Sequence, residues 1–300
     1  MHTKAAGRKR RWSLFDVVNT IFLVLLSAIF LYPLLMTLGL SFSSAKELVG
    51  KNVILMPIGF SLQSYQTILA DPAILRYYLN TIFYAGTGTI TSLLLTSLMA
   101  YPLTVSEFKG KKVINVLLLI TMFFGGGMIP TYLTIRNLHM IDTLWAMILP
   151  GAISAWNVIM FVNFFKEIPD SLRESATIDG AGHVRILFAI VIPLSKALLA
   201  TIALFTIVGF WNDYFNAMLY LDSTTKMPIQ IFLRKILVNM EINRGNTQDT
   251  DMSRLLDMIN ANPRTVKAAA TIITIIPILC VYPFLQKYFT KGLMIGAVKE

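Results

Sequence analysis

The sequence predicts an all-α membrane protein with six transmembrane helices. Three observations carry that prediction. Of the 300 residues, 55% are hydrophobic and 14% charged, where a soluble domain carries about 25% charged residues. The missing charge is concentrated: residues 17–45, 77–106, 113–135, 143–165 and 268–286 contain no Asp, Glu, Lys or Arg. Each run is near or above the roughly 20 residues that cross a bilayer as a helix. A sixth run, 186–212, is interrupted only by Lys196, whose side chain can snorkel to the headgroups from a helix end. Six helices leave only loops between them, so no separate soluble domain is expected.

The elements follow in order. Residues 1–15 form a basic segment carrying Arg8, Lys9, Arg10 and Arg11. The first span, 17–40, has the flank of a signal peptide, but its apolar run is too long and no small-x-small site follows Pro33, so it reads as a retained anchor. The second span, 78–104, contains Gly86-Thr-Gly-Thr-Ile-Thr. That stretch lacks the lysine of a phosphate loop, and small residues inside an apolar helix permit close helix packing. The third span, 113–134, holds Gly125, Gly126, Gly127 and Pro130, which weaken a helix. In a bilayer, broken backbone is tolerated where protein or a water-filled cavity satisfies it. Two readings stay open there, a hinge beside a pathway and tight packing against a neighbouring helix. The fourth span is 144–165, and the fifth, 186–212, should bend at Pro193 near its base. The sixth, 268–286, holds the single cysteine, Cys280, read as a small packing residue. The loop 221–264 carries Ile229, Phe232, Leu233, Ile236 and Leu237 at helical spacing. It predicts an amphipathic helix at the outer surface, with a docking role preferred over plain interfacial anchoring.

Charge sets the orientation. The basic cluster before Trp12 should stay in the cytoplasm, and six crossings then put both termini inside. The inner segments hold 14 Lys and Arg, and the outer ones 11, of which seven lie between Lys226 and Lys267. Long translocated loops count little in this rule. The net charge of +10 is therefore mostly charge at the membrane surface. No basic soluble face interleaved with aromatics is available for nucleic acid.

The five clean spans contain no Asp, Glu, Lys, Arg or His, whereas ion-coupled carriers place such groups near mid-membrane. Asp213 comes closest, at the outer end of the fifth span. His2, His139 and His183 are far apart and match no zinc spacing. No nucleophile and base stand together, so no enzymatic activity is expected. An ion-coupled secondary sugar carrier acting without an ATPase is the alternative to the reading developed below.

The polar interruption between the fourth and fifth spans is the most informative stretch. Ser171-Leu-Arg-Glu174 has capping-box spacing, so a helix should start there. Leu172 and Ala176 share one face. Ser175 and Ala176 are small enough to let another surface approach. Gly180 suits a helix C-terminus, and Asp179 can restrain the turn through its side chain. By spacing alone this is equally an ordinary solvated loop.

Glu174-Ser-Ala176, Gly180, and then Ile190-x-Ile-Pro193 resemble the E-A-A-x-x-x-G-x(9)-I-x-L-P signature of importer permeases in ATP-binding-cassette (ABC) transporters. Ser175 and Ile192 depart from it while keeping size or character. Asn80-Thr81, Phe124-Gly-Gly-Gly-Met-Ile-Pro130, Ile178-Asp-Gly-Ala181 and Trp211-Asn-Asp-Tyr-Phe-Asn-Ala217 look like the carbohydrate-uptake branch, which includes the smaller maltose permease subunit. Within that branch the Gly-Gly-Met-Ile-Pro stretch and the Trp-Asn stretch look most like the sub-branch importing complex oligosaccharides, some derived from acidic polysaccharides.

The resemblance implies a type I ABC importer permease fold with a cytoplasmic coupling helix at about 170–185, in a multi-pass protein of the cell membrane. It implies a second homologous permease subunit, two ATP-binding-cassette ATPase subunits and an extracytoplasmic sugar-binding protein as partners. Membrane lipid surrounds the complex, and nucleic acid has no part in it. The chain itself binds no cofactor or metal, ATP and Mg belonging to the ATPases. Coupling is carried over to Arg173, Glu174, Ser175, Ala176, Asp179, Gly180 and Pro193, and the loop 221–264 is expected to reach toward the binding protein.

Aromatic rings can stack on sugar faces and amides can bond hydroxyls, so Trp156, Asn157, Trp211 and Asn212 are candidate substrate contacts. For Trp211 the interfacial aromatic belt is the preferred reading. Asn80, Tyr84, Thr87 and Thr91 line one face of the second span, where hydrogen bonding to a neighbouring helix is preferred.

Overall fold

The computed structural model describes residues 13–48, 50–242 and 263–296. The basic cluster before Trp12 and residues 243–262 of the long loop lie outside the described residues. In chain order the helices are α1 (Leu14–Ser41), α2 (Gln63–Leu69), α3 (Ala73–Ala100), α4 (Lys111–Phe123), α5 (Met128–Asn137), α6 (Leu144–Ile148), α7 (Ala155–Lys166), α8 (Asp170–Ile178), α9 (His183–Ile186), α10 (Ile192–Leu194), α11 (Lys196–Trp211), α12 (Phe215–Tyr220), α13 (Ile229–Ile242) and α14 (Pro263–Gly296). Among the described residues the rest of the regular structure is short 3-10 turns, one π turn (Leu187–Val191) and an isolated bridge between Ser43 and Phe60.

Three continuous helices, Leu14–Ser41, Ala73–Thr104 and Arg264–Val281, are long and apolar enough to cross a membrane. The other expected spans are bent pairs. α4 and α5 meet at 115°, the α6 and α7 segments at 56°, and the helices flanking Ser195 at 82°. The count reaches six if each pair is one span. Each bend has a local cause. Gly127 takes φ 84 between α4 and α5, a conformation that only glycine adopts freely. Pro130 lies in the first turn of α5, where its missing N–H costs nothing. It therefore starts that helix rather than weakening one. Pro150 occupies a 3-10 turn between α6 and α7. Pro193 sits in α10 behind the π turn, and Ser195 (φ −96, ψ 19) separates α10 from α11. Lys196 is thus the first residue of α11, not an interruption within a span.

Packing groups the chain into two units. In the first (1–70 and 245–272), Ser13 and Asp16 form a reciprocal capping box at 3.1 Å that starts α1. The side chains of α1 are exposed along nearly its whole length. A Cβ on Gly39 would lie 2.6 Å from the Leu55 carbonyl oxygen, so only glycine lets the following loop fold back there. Ser64 donates to Thr265 at 2.9 Å.

The second unit (71–244 and 273–300) is built around α3, which is about 42 Å long at 1.5 Å per residue. α3 and α11 touch closely at Gly88, where a Cβ would come within 2.4 Å of the Phe210 ring. At Gly86 it would meet nothing within 4 Å, so the small-residue packing expected for this stretch falls on Gly88 and the buried Thr89 beside it. Beyond the C-terminal end of α3, Leu103, Phe161, Phe165, Ile186, Leu187 and Val191 form a closed apolar core. Near its N-terminal end, α13 lays Ile229, Phe232 and Ile236 into the unit, all at most 2% exposed. The amphipathic helix exists, and three residues of its expected face, Ile229, Phe232 and Ile236, pack within the chain, where α13 lies against α3. Leu233 is half-buried and Leu237 stays exposed.

Candidate functional site

Around α8 the chain forms a short, exposed, braced helix. It begins at Asp170 with Pro169 as N-cap and no side-chain cap bond. The capping box expected at Ser171 and Glu174 does not form, because Pro169 has already set the entry with extended ψ. The helix ends as the sequence predicts. Gly180 takes φ +80, Gly180 N–H donates to the Thr177 carbonyl at 3.0 Å, and Ala181 N–H donates to Ala176 at 2.9 Å. These two bonds make a Schellman cap. The expected helix 170–185 therefore stops at Ile178 and resumes at His183. Among the described residues the Asp179 carboxylate makes no hydrogen bond, so the turn is set by glycine and not by that side chain.

Arg173 is the brace. Its guanidinium donates to the Phe165 carbonyl at the end of α7 and to Thr104 Oγ at 3.2 Å. It points into the protein rather than toward a partner, so it positions the helix. Ala176 and Ala181 rest against the closed core. Glu174, Ser175, Asp179 and Gly180 are exposed, and among the described residues the Glu174 carboxylate has no partner. Ile178, one turn on from Glu174, is 85% exposed and gives an apolar edge beside that carboxylate, while Leu172 is also open on another face of the helix. Pro193 lies at the bend that leads into α11.

Near the other end of α3 lies a polar clasp that sequence reasoning did not find. Asp142 takes φ 56. Its carboxylate accepts from Lys226 Nζ at 2.7 Å, Ser223 Oγ at 2.6 Å and the Ser223 and Asp222 amides at 3.0 and 3.2 Å. The Lys226 and Ser223 bonds hold the Asp142 carboxyl well below the usual carboxylate range. From α3, Asn80 donates to the Thr225 and Met227 carbonyls at 2.8 and 3.0 Å, Tyr84 donates to Lys226 at 2.8 Å, and Thr81 Oγ accepts from Ile229 N–H at 2.8 Å. Residues 222–229 are thereby held from two sides.

Between these two ends a cleft of about 260 Å³ opens, lined among others by Ser92, Asn157, Thr206, Gly209, Asp213 and Asn216. Asp213 is held by Asn216, whose amide and backbone N–H donate to it at 2.8 and 3.1 Å. The seven candidate pathway residues do not converge. Asn157 lines the cleft, while Asn80 and Tyr84 belong to the clasp. The Thr87 hydroxyl bonds the Phe83 carbonyl of its own helix. Trp156 is exposed, and Trp211 is buried with its indole N–H donating to Thr274 at 3.1 Å. That burial excludes the aromatic-belt reading. Asn212 is exposed and accepts from Gln230 at 3.2 Å. Asp213 and Asn216, three residues apart, carried a turn signal in the sequence. Ser92, Thr206 and the partners of Asp142 carried none.

With this geometry established, comparison with known proteins gives consistent results. A family model described as binding-protein-dependent transport system inner membrane component matches residues 74–295. Protein LplC of Bacillus subtilis (strain 168) is 41% identical over 301 residues, covering 100% of this chain and 98% of that protein. The polygalacturonan/rhamnogalacturonan transport system permease protein YtcP of the same organism is 42% identical over 286 residues, covering 95% and 98%. Among solved structures, a chain of a bacterial ABC transporter involved in the import of the acidic polysaccharide alginate superposes with a TM-score of 0.84 at 33% identity, over 94% of this chain and 100% of that one.

Proposed function

This chain belongs to the family of binding-protein-dependent transport system inner membrane components, and from that premise we propose how its parts serve an importer. It is a non-catalytic permease subunit of an ABC importer for oligosaccharides, resident in the membrane. The proposed arrangement has six spans, three of them bent, with both termini in the cytoplasm. α8 is the coupling helix. Its exposed face, with Glu174, Ser175 and the Ile178 edge, enters a groove on an ATPase subunit. ATP and Mg act on that subunit and not on this chain. A second permease subunit completes the passage, and an extracytoplasmic binding protein delivers the saccharide. The cleft at Asn157 and Asp213 contributes hydrogen-bonding groups to the passage. The cargo is an oligosaccharide of the kind released from larger polysaccharides, as the names of the relatives indicate for those proteins.

The observation that carries this reading is the construction of α8. It is an exposed helix of nine residues, capped by glycine and tied by Arg173 to the core. A helix free to rock could not pass a displacement on. One fixed at both ends moves with the helices it is tied to. Nucleotide shifts the population only as far as it binds one state of the assembly better than the other.

The test is uptake in vesicles reconstituted with the full complex, comparing internal ATP with an ion gradient alone. ATP-dependent uptake is expected. Gradient-driven uptake by this chain without an ATPase would reject the proposal in favour of an ion-coupled carrier.

A further inference from the structure

We propose that the cleft between α3, α7 and α11 is a subsite for one neutral, hydroxyl-bearing sugar unit and that Asp213 sets that preference, an inference that rests on the transport reading above. The floor of the cleft is closed by this chain itself: Ser92 on α3 and Met147 on α6 line it and are 2% and 4% exposed. In an apolar helix a hydroxyl can satisfy itself on a carbonyl one turn back, as Thr81, Thr87 and Ser97 of α3 do. Ser92 does not, and among the described residues its hydroxyl makes no hydrogen bond. The hydroxyls of Thr89 and Thr96, on the same face of α3, are buried and equally without a partner. Leaving such a group unpaired is costly, and Ser92 is the one that reaches the cleft. From α7, the Asn157 side-chain amide also lines it and makes no hydrogen bond among the described residues.

Asp213 adds a carboxylate of fixed orientation. A carboxylate has about four acceptor sites. Asn216 fills one on each oxygen, through its backbone N–H at 3.1 Å and its amide at 2.8 Å. The remaining sites suit neighbouring hydroxyls of a diol. Phe205 and Phe210 bring rings to the same wall, and a sugar presents apolar C–H faces and a rim of hydroxyls. Charge then sorts the sugars. Among the described residues no Lys or Arg lines the cleft, and the Arg234 guanidinium is turned onto the Tyr214 ring, 5.6 Å from its centroid. A uronate carboxylate would meet Asp213 with no cation in the lining to offset it. Pockets for drug-sized ligands begin at about 300 Å³, so a cleft of about 260 Å³ takes a single unit rather than a whole chain.

The test uses the purified, assembled transporter in a Cys280→Ser background with Gly209→Cys. That substitution puts a thiol in the cleft wall, where a Cβ meets nothing within 4 Å. The thiol is exposed to a hydrophilic reagent, nucleotide-free and with ATP plus vanadate, in the presence of galactotriose or of trigalacturonate. These probes match in length and differ in oxidation at C6. Galactotriose should protect at a concentration at least about fivefold lower, the ratio that two like charges about 4 Å apart give even in water. Asp213→Asn keeps an oxygen for the Asn216 N–H, so thermal stability should hold while the two probes come to within about twofold of each other. Asn157→Leu breaks no described bond of the chain and should weaken protection by both probes. An unchanged ratio in Asp213→Asn would make Asp213 a helix cap only and overturn the proposal. Unchanged protection in Asn157→Leu, equal protection of the starting protein by both probes, or protection by neither would also overturn it. So would a thiol unreactive in both states, because a partner subunit would then fill the cleft. ATP-driven saccharide uptake by the wild-type complex, measured in parallel, tests the transport reading separately. If uptake is normal and neither probe protects, only the subsite is wrong.

Discussion

Arg173→Met isolates what holds the coupling helix. The Arg173 side chain is 12% exposed, while Asp170, 4.0 Å away, is 84% exposed. That exposed ion pair contributes about 0–1 kcal/mol. The two inward bonds, to the Phe165 carbonyl and Thr104 Oγ, come from a charged donor and contribute about 1.5–3 kcal/mol each. Against them stands Arg173 Nε, buried without a partner, which costs about 1–3 kcal/mol. The net is about 2 kcal/mol, and methionine keeps most of the apolar stem packing. A loss of about 2 kcal/mol shifts the equilibrium between docked and loose helix by about 30-fold. Hydrogen exchange of the amides at 172–181 in the purified complex should accelerate by that order. ATP consumed per saccharide moved should rise, while membrane insertion stays unchanged. Arg173→Lys should fall between, because an ammonium lacks the planar fork. Wild-type exchange and coupling in Arg173→Met would refute the brace and leave Ala176 and Ala181 packing as the anchor.

At Gly180 a side chain meets open space, so substitutions there report the backbone alone. Gly180→Ala should weaken the cap by about 1–2 kcal/mol, Gly180→Asn by less and Gly180→Val by more, a ranking that coupled uptake would read. Glu174→Lys should leave thermal stability unchanged and abolish ATP-driven uptake, and unaltered transport would remove Glu174 from the ATPase contact. Thr81→Val deprives the buried Ile229 amide of its acceptor and should cost about 1–3 kcal/mol, visible as earlier thermal release of α13. The Asp142 carboxyl is held low in the folded chain by Lys226 and Ser223, so its contribution is present above its unfolded value of about 3.9 and is lost as pH falls through the folded value. Proteolysis of residues 222–229 should be flat from pH 5 to 8 and increase only in stronger acid. Asp142→Asn should raise it already at pH 7 and remove the acid dependence.

The legible parts of this protein share a short range. The Gly180 cap, the buried face of α13 and the break at Gly127 each depend on residues within a few positions. Left-handed φ restricts the choice at one residue, and helical periodicity repeats every three or four. Other local signals misled for an equally local reason. Ser171 and Glu174 have capping-box spacing, yet Pro169 caps the helix two residues earlier and makes the box redundant. The angles of the bends were not legible, since apolar length measures how much chain can lie in lipid and not the path it takes.

What the sequence determined by itself is therefore the solvent and the segments: membrane-length apolar runs, a polar interruption with the importer signature, and glycines where the backbone must turn. Tertiary structure alone decided which groups those segments turn toward. It sent Arg173 inward to Phe165 and Thr104, buried Trp211 on Thr274, spent Asn80 and Tyr84 on a loop some 145 residues away, and joined Asp142 to Lys226. The partners in these bonds are separated by 8 to 147 residues. Most pairings across such distances leave no periodic trace along the chain, because they are selected by which hydrogen-bonding groups packing happens to bury together.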